Sequence, residues 1–209
     1  MSPRERLIET AAELFYRHGC HAIGIDTILA RAGVAKMTLY RHFRSKDELV
    51  LAALRRMDER FRNDFMAAVE RRAATPAGRL DALFDVVRDW VRGKDFFGCP
   101  FINVTAEFAA QDDPVHAAAA EHKRLALDFI ERLAAEAGAA DPRALARALT
   151  VLLEGCTVLA QVTGQSEFVD DAQFAARLVL REGLTSDPPA RATRAERGSP
   201  PSAGRRRGR

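Results

Sequence analysis

Apolar side chains recur every three to four residues along most of the chain, which is the spacing of amphipathic helices. A proline preceded by Thr or Asp interrupts the pattern at Thr75-Pro76, Asp113-Pro114 and Asp141-Pro142. Such pairs end one helix and open the next. No segment keeps up the alternation of apolar and polar positions that is typical of a strand. The sequence therefore predicts an all-α protein of about nine helices.

The same spacing places the helices along the chain. We expect a first helix over residues 4–18 and two short helices within residues 24–43. The later helices are expected at about residues 46–72, 80–92, 100–108, 113–137, 142–163 and 171–181. Ser45 and Glu48 form a capping-box pattern at the start of the long helix, with Glu48 predicted to reach back to the cap.

Residues 24–49 predict two short helices joined by a tight turn. Gly33 stands where the first helix needs a left-handed closing residue. Leu39 and Phe43 are four positions apart and would face inward together. The remaining residues of the second helix would then face solvent: Lys36, Met37, Thr38, Tyr40, Arg41 and His42. A helix pair of this kind is the helix-turn-helix, whose second helix enters the major groove of DNA.

The charge pattern favours a nucleic-acid partner for this segment. Five basic residues and no acidic one lie between Thr27 and Lys46. The net charge is +3 for residues 1–60, −5 for residues 61–185 and +5 for residues 186–209. A basic head on an acidic body indicates that the head meets a polyanion. The alternative, a merely solvated basic face, is disfavoured because no counter-charges stand among the five cations.

Two stretches of sequence carry a family resemblance. The run AGVAKMTLYRHFRSKDELV, with LIETAAELFYRHG before it, closely resembles the DNA-binding domain of the TetR (tetracycline-repressor-like) family. The segment GCPFINVTAEFAA resembles the C-terminal domain of one TetR subgroup, less diagnostically. The resemblance implies a homodimer that binds a DNA operator and responds to a small-molecule effector.

Roles in DNA binding follow from side-chain chemistry, and the resemblance places similar roles at the matching positions. Base-edge contacts are expected from Lys36, Met37, Thr38 and Arg41. Phosphate contacts are expected from Tyr40, His42 and Lys46, with Thr27 a weaker candidate. Gly24 and Ala35 stand where a Ser or Thr would cap a helix, and each such loss typically costs ~1 kcal/mol.

The body of the protein offers an aromatic cluster that is either a packed core or a ligand pocket. The resemblance favours a pocket, with these candidate residues: Phe61, Phe65, Trp90, Phe97, Phe101, Asn103, Glu107 and His122. Cys99, at the start of a helix, is either a reactive thiol or an inert buried one. No metal site is expected, because His116 and His122 are six positions apart and lie on different helix faces. No cofactor and no catalytic arrangement stand out, so an enzyme is not expected.

The expected organisation is a helix-turn-helix domain at residues 1–48, a ligand-binding and dimerisation domain at residues 49–185 and a disordered basic tail at residues 186–209. The tail is either solvated chain or an electrostatic arm for DNA. Pairing of subunits is expected through the helices at about 142–163 and 171–181, which carry apolar stripes with small residues. No export signal, no apolar stretch long enough for a membrane span and three scattered cysteines predict a cytoplasmic protein.

The predicted function is a dimeric transcriptional regulator, more specifically a repressor released from DNA by a small molecule. The alternative is a helical ligand- or protein-binding module whose head no longer reads DNA specifically.

Overall fold

The computed structural model describes residues 1–185, and the predicted basic tail at residues 186–209 lies outside them. The described part contains helices and no strand, which confirms the all-α prediction. Its nine helices are α1 (Pro3–His18), α2 (Ile25–Ala32), α3 (Lys36–His42), α4 (Lys46–Arg72), α5 (Pro76–Val91), α6 (Pro100–Glu107), α7 (Pro114–Glu136), α8 (Pro142–Thr163) and α9 (Glu167–Thr185).

Side-chain caps explain why most helices begin where the sequence predicts. The Asp141 carboxylate accepts from the Ala144 N–H at 3.0 Å, and the Asp113 carboxylate accepts from the Val115 N–H at 2.7 Å. At α4, the Ser45 hydroxyl accepts from the Glu48 N–H at 3.2 Å, as expected. The second half of that capping box differs from the prediction, because Glu48 accepts at 2.7 Å from the N–H of Arg44, one residue before the cap.

The last helix is longer than predicted. It runs from Glu167 to Thr185, whereas the sequence suggested residues 171–181. Gly164 caps α8 in the left-handed conformation, with φ 72°, and only Gln165 and Ser166 lie between this cap and α9. Val169 is fully buried, and its burial favours a helix that starts before Asp171.

Two apolar clusters hold the molecule together, and they do not divide at residue 48. The first contains the buried faces of α1, α2 and α3 and continues through Val50 and Leu54 of α4. It also takes in Phe101 and Val104 of α6 and the start of α7. The second joins the rest of α4 and α7 with α5, α8 and α9. The helix α4 therefore runs without a break from one cluster into the other.

Helix α8 differs from the prediction that no apolar stretch is long enough to span a membrane. By length and composition it could cross a membrane, with a mean hydropathy of 1.5, and it is the only such helix within residues 1–185. Of its most apolar stretch, 39% is buried inside the chain. That buried share is the core-facing side of the helix, made by residues such as Leu149 and Leu153.

Candidate DNA interface and ligand cavity

The helix pair α2 and α3 has a buried inner side and an exposed outer side. The outer side of α3 (Lys36–His42) is called the ridge below. Gly33 closes α2 with φ 62° and ψ 44°, a left-handed conformation that glycine adopts without strain. Leu39 is fully buried and Phe43 is 3% exposed, so the inner side of α3 is fixed against the head. The outer side of α3 is thereby presented to solvent as a rigid surface.

The predicted DNA-contact residues all lie at the surface of the head. Met37 is 84% exposed and Tyr40 is 50% exposed, although both are large side chains that water disfavours. Thr38 and Lys46 are half-buried, and the other predicted contacts are exposed: Thr27, Lys36, Arg41 and His42. Large exposed side chains on a rigid helix suit a surface that a partner covers.

Counter-charges are closer to the ridge than the sequence suggested. Lys36 Nζ lies 3.5 Å from a carboxylate oxygen of Asp26, and Arg31 pairs with Glu13 at 2.6 Å. Lys36 and Arg31 therefore do have counter-charges, contrary to the prediction from the sequence. Within residues 1–185, Arg41, Arg44 and Lys46 have no carboxylate within ion-pair distance. These three cations are the ones available to phosphates without first breaking a contact.

The start of α3 has no side-chain cap. Neither Gly24 before α2 nor Ala35 before α3 makes a cap hydrogen bond from its side chain. The first turns of both helices therefore depend on packing beneath them, through Ile28 and Leu39.

A cavity of about 70 Å³ lies in the body between α4, α5, α7 and α8. Four of the eight predicted pocket residues line it: Phe61, Phe65, Trp90 and His122. Phe61 stacks on Phe65 at 5.4 Å between ring centroids, and the Trp90 ring meets Phe61 edge-on at 5.5 Å. Phe101 lies behind the wall and stacks on His122 at 3.5 Å. The aromatic cluster is thus both packed core and cavity wall.

The other predicted pocket residues lie outside this cavity, at the junction of head and body. Phe97 packs edge-on against Tyr16 of α1 at 5.5 Å. Asn103 donates to the Phe97 carbonyl at 2.9 Å and accepts from Gln161 at 3.0 Å. The sequence pattern could not separate the two sites, because the aromatic residues of both follow one another along the chain.

Glu107 holds the head rather than a ligand. Its carboxylate accepts from the backbone N–H of Cys20 at 2.8 Å and from that of His21 at 2.6 Å, in the turn between α1 and α2. A side chain at Gly19 would meet this carboxylate at 3.2 Å. Charge-assisted bonds of this kind are among the stronger polar contacts in proteins. The end of α6 is therefore tied directly to the DNA-binding head.

Sequence reasoning missed a polar group of the cavity wall. Lys123 Nζ donates to both carboxylate oxygens of Glu154 at 2.7 Å and to the Cys99 sulfur at 3.3 Å. These three residues come from α7, α8 and the start of α6, and no motif links them along the chain. Cys99 is buried, as the inert alternative expects, and a reactive thiol at this position stays an untested alternative.

The remaining two cysteines are buried away from this cavity. Burial raises the pKa of Cys20 to about 12 and that of Cys156 to about 11. No cluster of three metal-ligating side chains occurs in the described part of the chain.

An apolar face of α8 and α9 is exposed. Val151 is 70% exposed, Val162 76% and Phe174 67%, and further members are Val158, Leu159 and Leu178. All lie on the two helices predicted to pair with a second subunit. Several large apolar side chains exposed on two neighbouring helices are typical of a protein–protein contact.

Comparison with known proteins assigns the family. Residues 7–53 match the family model of bacterial regulatory proteins of the tetR family, and residues 76–176 match that of the tetracyclin repressor-like C-terminal domain. The structure of SCO4454, a TetR-family transcriptional regulator from Streptomyces coelicolor, is similar with a TM-score of 0.80 and 34% identity, covering 87% of this chain and 96% of that one.

Two curated relatives agree with the family models. The HTH-type transcriptional regulator MT0206 of Mycobacterium tuberculosis is 32% identical over 170 residues, 77% of this chain and 84% of that protein. The HTH-type transcriptional activator FasR of Mycolicibacterium smegmatis is 53% identical over 53 residues, about a quarter of each chain (25% and 24%). TetR-family regulators bind DNA operators, form dimers and bind small-molecule effectors, and they are not enzymes. The chain belongs to the TetR family of helix-turn-helix transcriptional regulators.

Proposed function

We propose that the protein is a cytoplasmic, dimeric repressor that binds a palindromic operator and is released by a small-molecule effector. The observation that carries the proposal is the single helix α4, which joins the ridge-bearing head to the aromatic cavity. A ligand that widens the cavity moves Phe61 and Phe65, and both side chains belong to α4. A shift of this helix changes the position of the head.

DNA recognition is proposed for the exposed ridge of α3. Arg41, without an ion-pair partner in the described residues, is free to take a guanine through two hydrogen bonds. Met37 and Thr38 offer methyl groups to thymine, and Lys36 reaches a base edge after leaving Asp26. Tyr40, His42, Lys46 and Thr27 flank these residues and suit phosphate contacts.

Dimerisation is proposed through the exposed apolar face of α8 and α9. One recognition helix reads only a few base pairs, so a useful site needs two heads separated by about one helical turn of DNA. Two copies of the α8–α9 face would form a four-helix bundle, and its two-fold symmetry would match a palindromic operator.

The experiment is a fluorescence-anisotropy titration of the full chain against DNA from upstream of its own coding region. We expect a salt-sensitive, sequence-specific complex. Arg41→Ala should weaken the binding free energy by about 1–3 kcal/mol and relax the specificity at one base position of the operator. Arg71→Ala is the matched control, because Arg71 is also an exposed arginine but lies in the last turn of α4, at the end of that helix opposite to α3. A reporter placed under that upstream DNA separates repression from the activation named for FasR.

A second candidate is a ligand- or protein-binding module without specific DNA reading. The missing side-chain caps at Gly24 and Ala35 favour it, since both weaken the helix-turn-helix. This second function predicts equal affinity for upstream and random DNA in the same titration. That result would contradict the repressor proposal and support the binding module.

A further inference from the structure

The cavity wall carries a buried side chain with unused hydrogen-bonding capacity. His122 is 3% exposed and lines the cavity. Its Nδ1 lies 2.7 Å from a carboxylate oxygen of Asp58. In the part of the chain that the structure describes, its other ring nitrogen, Nε2, has no hydrogen-bond partner.

The contact with Asp58 decides which ring nitrogen carries the proton. Burial acts to raise the pKa of Asp58, but hydrogen bonds from Arg62 and His122 outweigh it and leave that pKa lowered. The carboxylate is therefore ionised and can only accept, so Nδ1 donates. Burial also lowers the pKa of His122, so the ring is neutral near pH 7. A neutral ring protonated at Nδ1 offers a lone pair at Nε2.

The contacts of the ring leave the Nε2 edge available to the cavity. Asp58, which faces Nδ1, is not part of the cavity wall. Phe101 covers one face of the ring at 3.5 Å and is not part of the wall either. The Nδ1 edge and one face of the ring are thus occupied by residues outside the wall, which leaves the other face and the edge that carries Nε2 to line the cavity. Phe61, another wall residue, meets this ring edge-on with 5.5 Å between centroids.

Other polar groups of the wall already have partners. The hydroxyl groups of Thr150 and Thr157 donate to the carbonyls of Ala146 and Leu153 at 2.8 and 2.7 Å. Both carboxylate oxygens of Glu154 accept from Lys123 and keep further lone pairs. Nε2 of His122, by contrast, makes no hydrogen bond within the described residues, so a donor brought in by a ligand supplies its first protein-bound partner.

We propose that the cavity binds a small aromatic molecule carrying one hydroxyl group, of the phenol class, whose O–H donates to Nε2 of His122. The aromatic ring packs against Phe61, Phe65 and Trp90. The inference names the chemical class of the effector, and so it rests on the ligand role proposed for this cavity.

The small volume of the cavity means that an aromatic ligand can bind only if the cavity wall moves. The cavity of about 70 Å³ is smaller than the ~150 Å³ that holds benzene in a designed cavity. The aromatic ring of a ligand therefore fits only when side chains of the wall move outward. Phe61, Phe65 and Trp90 are half-buried, so their outward movement makes the room. Two of these three side chains belong to α4.

The test uses Trp90, which is the single tryptophan of the chain and lines the cavity. The full-length protein is titrated with phenol and with toluene, followed by tryptophan fluorescence and by calorimetry. We expect phenol to bind about tenfold more tightly, the effect of one hydrogen bond to a buried acceptor. His122→Phe keeps a ring stacked on Phe101 and should bring the two affinities within about twofold of each other.

Two controls keep the inference falsifiable. Thr157→Val removes a hydroxyl group from the same wall and should leave the preference for phenol unchanged. Fluorobenzene has nearly the size of phenol and no O–H, and it should bind the unaltered protein as weakly as toluene, whether or not His122→Phe folds. Fluorobenzene binding as tightly as phenol, or a preference abolished by Thr157→Val instead of His122→Phe, overturns the inference.

The result also separates this inference from the proposed function. If phenol binds through His122 but does not change the affinity for the operator, release by an effector is wrong and the proposed ligand class is kept. A protein that binds its operator specifically but shows no preference for phenol overturns the ligand class alone.

Discussion

Three residues from three helices meet at one point beside the cavity. Asp58 of α4 accepts from His122 of α7, and His122 stacks on Phe101 of α6. The sequence named His122 and Phe101 as pocket residues from their chemistry. It could not identify Asp58, because a carboxylate 64 positions away carries no signal of its partner. The contact is a product of helix packing.

This buried histidine predicts a pH dependence of stability. Burial lowers the pKa of His122 below its ordinary 6.5, against the opposing effect of Asp58. The unfolded chain therefore takes up the proton first, and stability falls as pH drops through 6.5 towards the lowered pKa. We expect the free energy of unfolding to decrease between pH 7 and 5.5, with a smaller decrease in His122→Phe.

Urea unfolding at the two pH values measures the effect. Lys123 and Glu154 face the same ring and are unchanged in this variant. Thr157→Val, which has no titratable group, should keep the slope of the unaltered protein. Equal slopes in the unaltered protein and His122→Phe would show that another group titrates.

At the scale of elements, α6 reaches from the cavity to the head. Cys99 at its start lines the cavity, and Glu107 at its end holds the turn between α1 and α2. The sequence predicted this short helix correctly from Pro100 and its apolar side. It placed Glu107 in the pocket, because the backbone N–H groups that Glu107 binds are 86 and 87 positions earlier in the chain.

Glu107→Gln tests this connection. The amide keeps one acceptor oxygen and loses the other and the charge, so we expect a loss of about 1–2 kcal/mol in unfolding free energy. We also expect weaker operator binding, since the turn positions α2. The matched control is Glu121→Gln on the exposed side of α7, where only a surface ion pair with Arg124 is lost. Equal operator affinity in both variants would deny Glu107 a positioning role.

The uncapped start of α3 predicts a stabilising substitution. Ala35 is exposed and has the extended backbone of an N-cap, with φ −70° and ψ 147°. Ala35→Ser supplies the missing acceptor and should raise stability by about 1 kcal/mol. Ala30→Ser, at an exposed position inside α2, should instead be neutral or slightly destabilising. Thermal unfolding compares the two, and a gain at position 30 alone would contradict the assignment of the cap.

For the whole molecule, the sequence predicted the helical architecture better than it predicted which side chains meet in space. Helix boundaries followed from prolines and acidic caps, whose effects are local. The early start of α9 was missed because the burial of Val169 depends on its neighbours in space. The aromatic residues were identified as a group, but only packing divided them between the cavity and the junction.

The exposed face of α8 and α9 gives a prediction about assembly. Val162→Glu or Phe174→Glu places a charge where a partner subunit would pack, so we expect monomers and loss of tight operator binding. Both side chains are largely exposed, 76% and 67%, so the fold of the subunit should persist. Light scattering measures the mass, with Ala135→Glu on α7 as the matched surface control. Dimers that survive both substitutions would place the interface elsewhere.

The shared apolar cluster of head and body has a consequence for engineering. Phe101 and Val104 complete the interior beneath the head, so residues 1–48 alone would leave part of that interior open to water. A graft of this head onto another regulator would therefore need α6 from the same parent, or a repacked junction. The helix-turn-helix head and the cavity-bearing body of this chain share one interior and would have to be exchanged together.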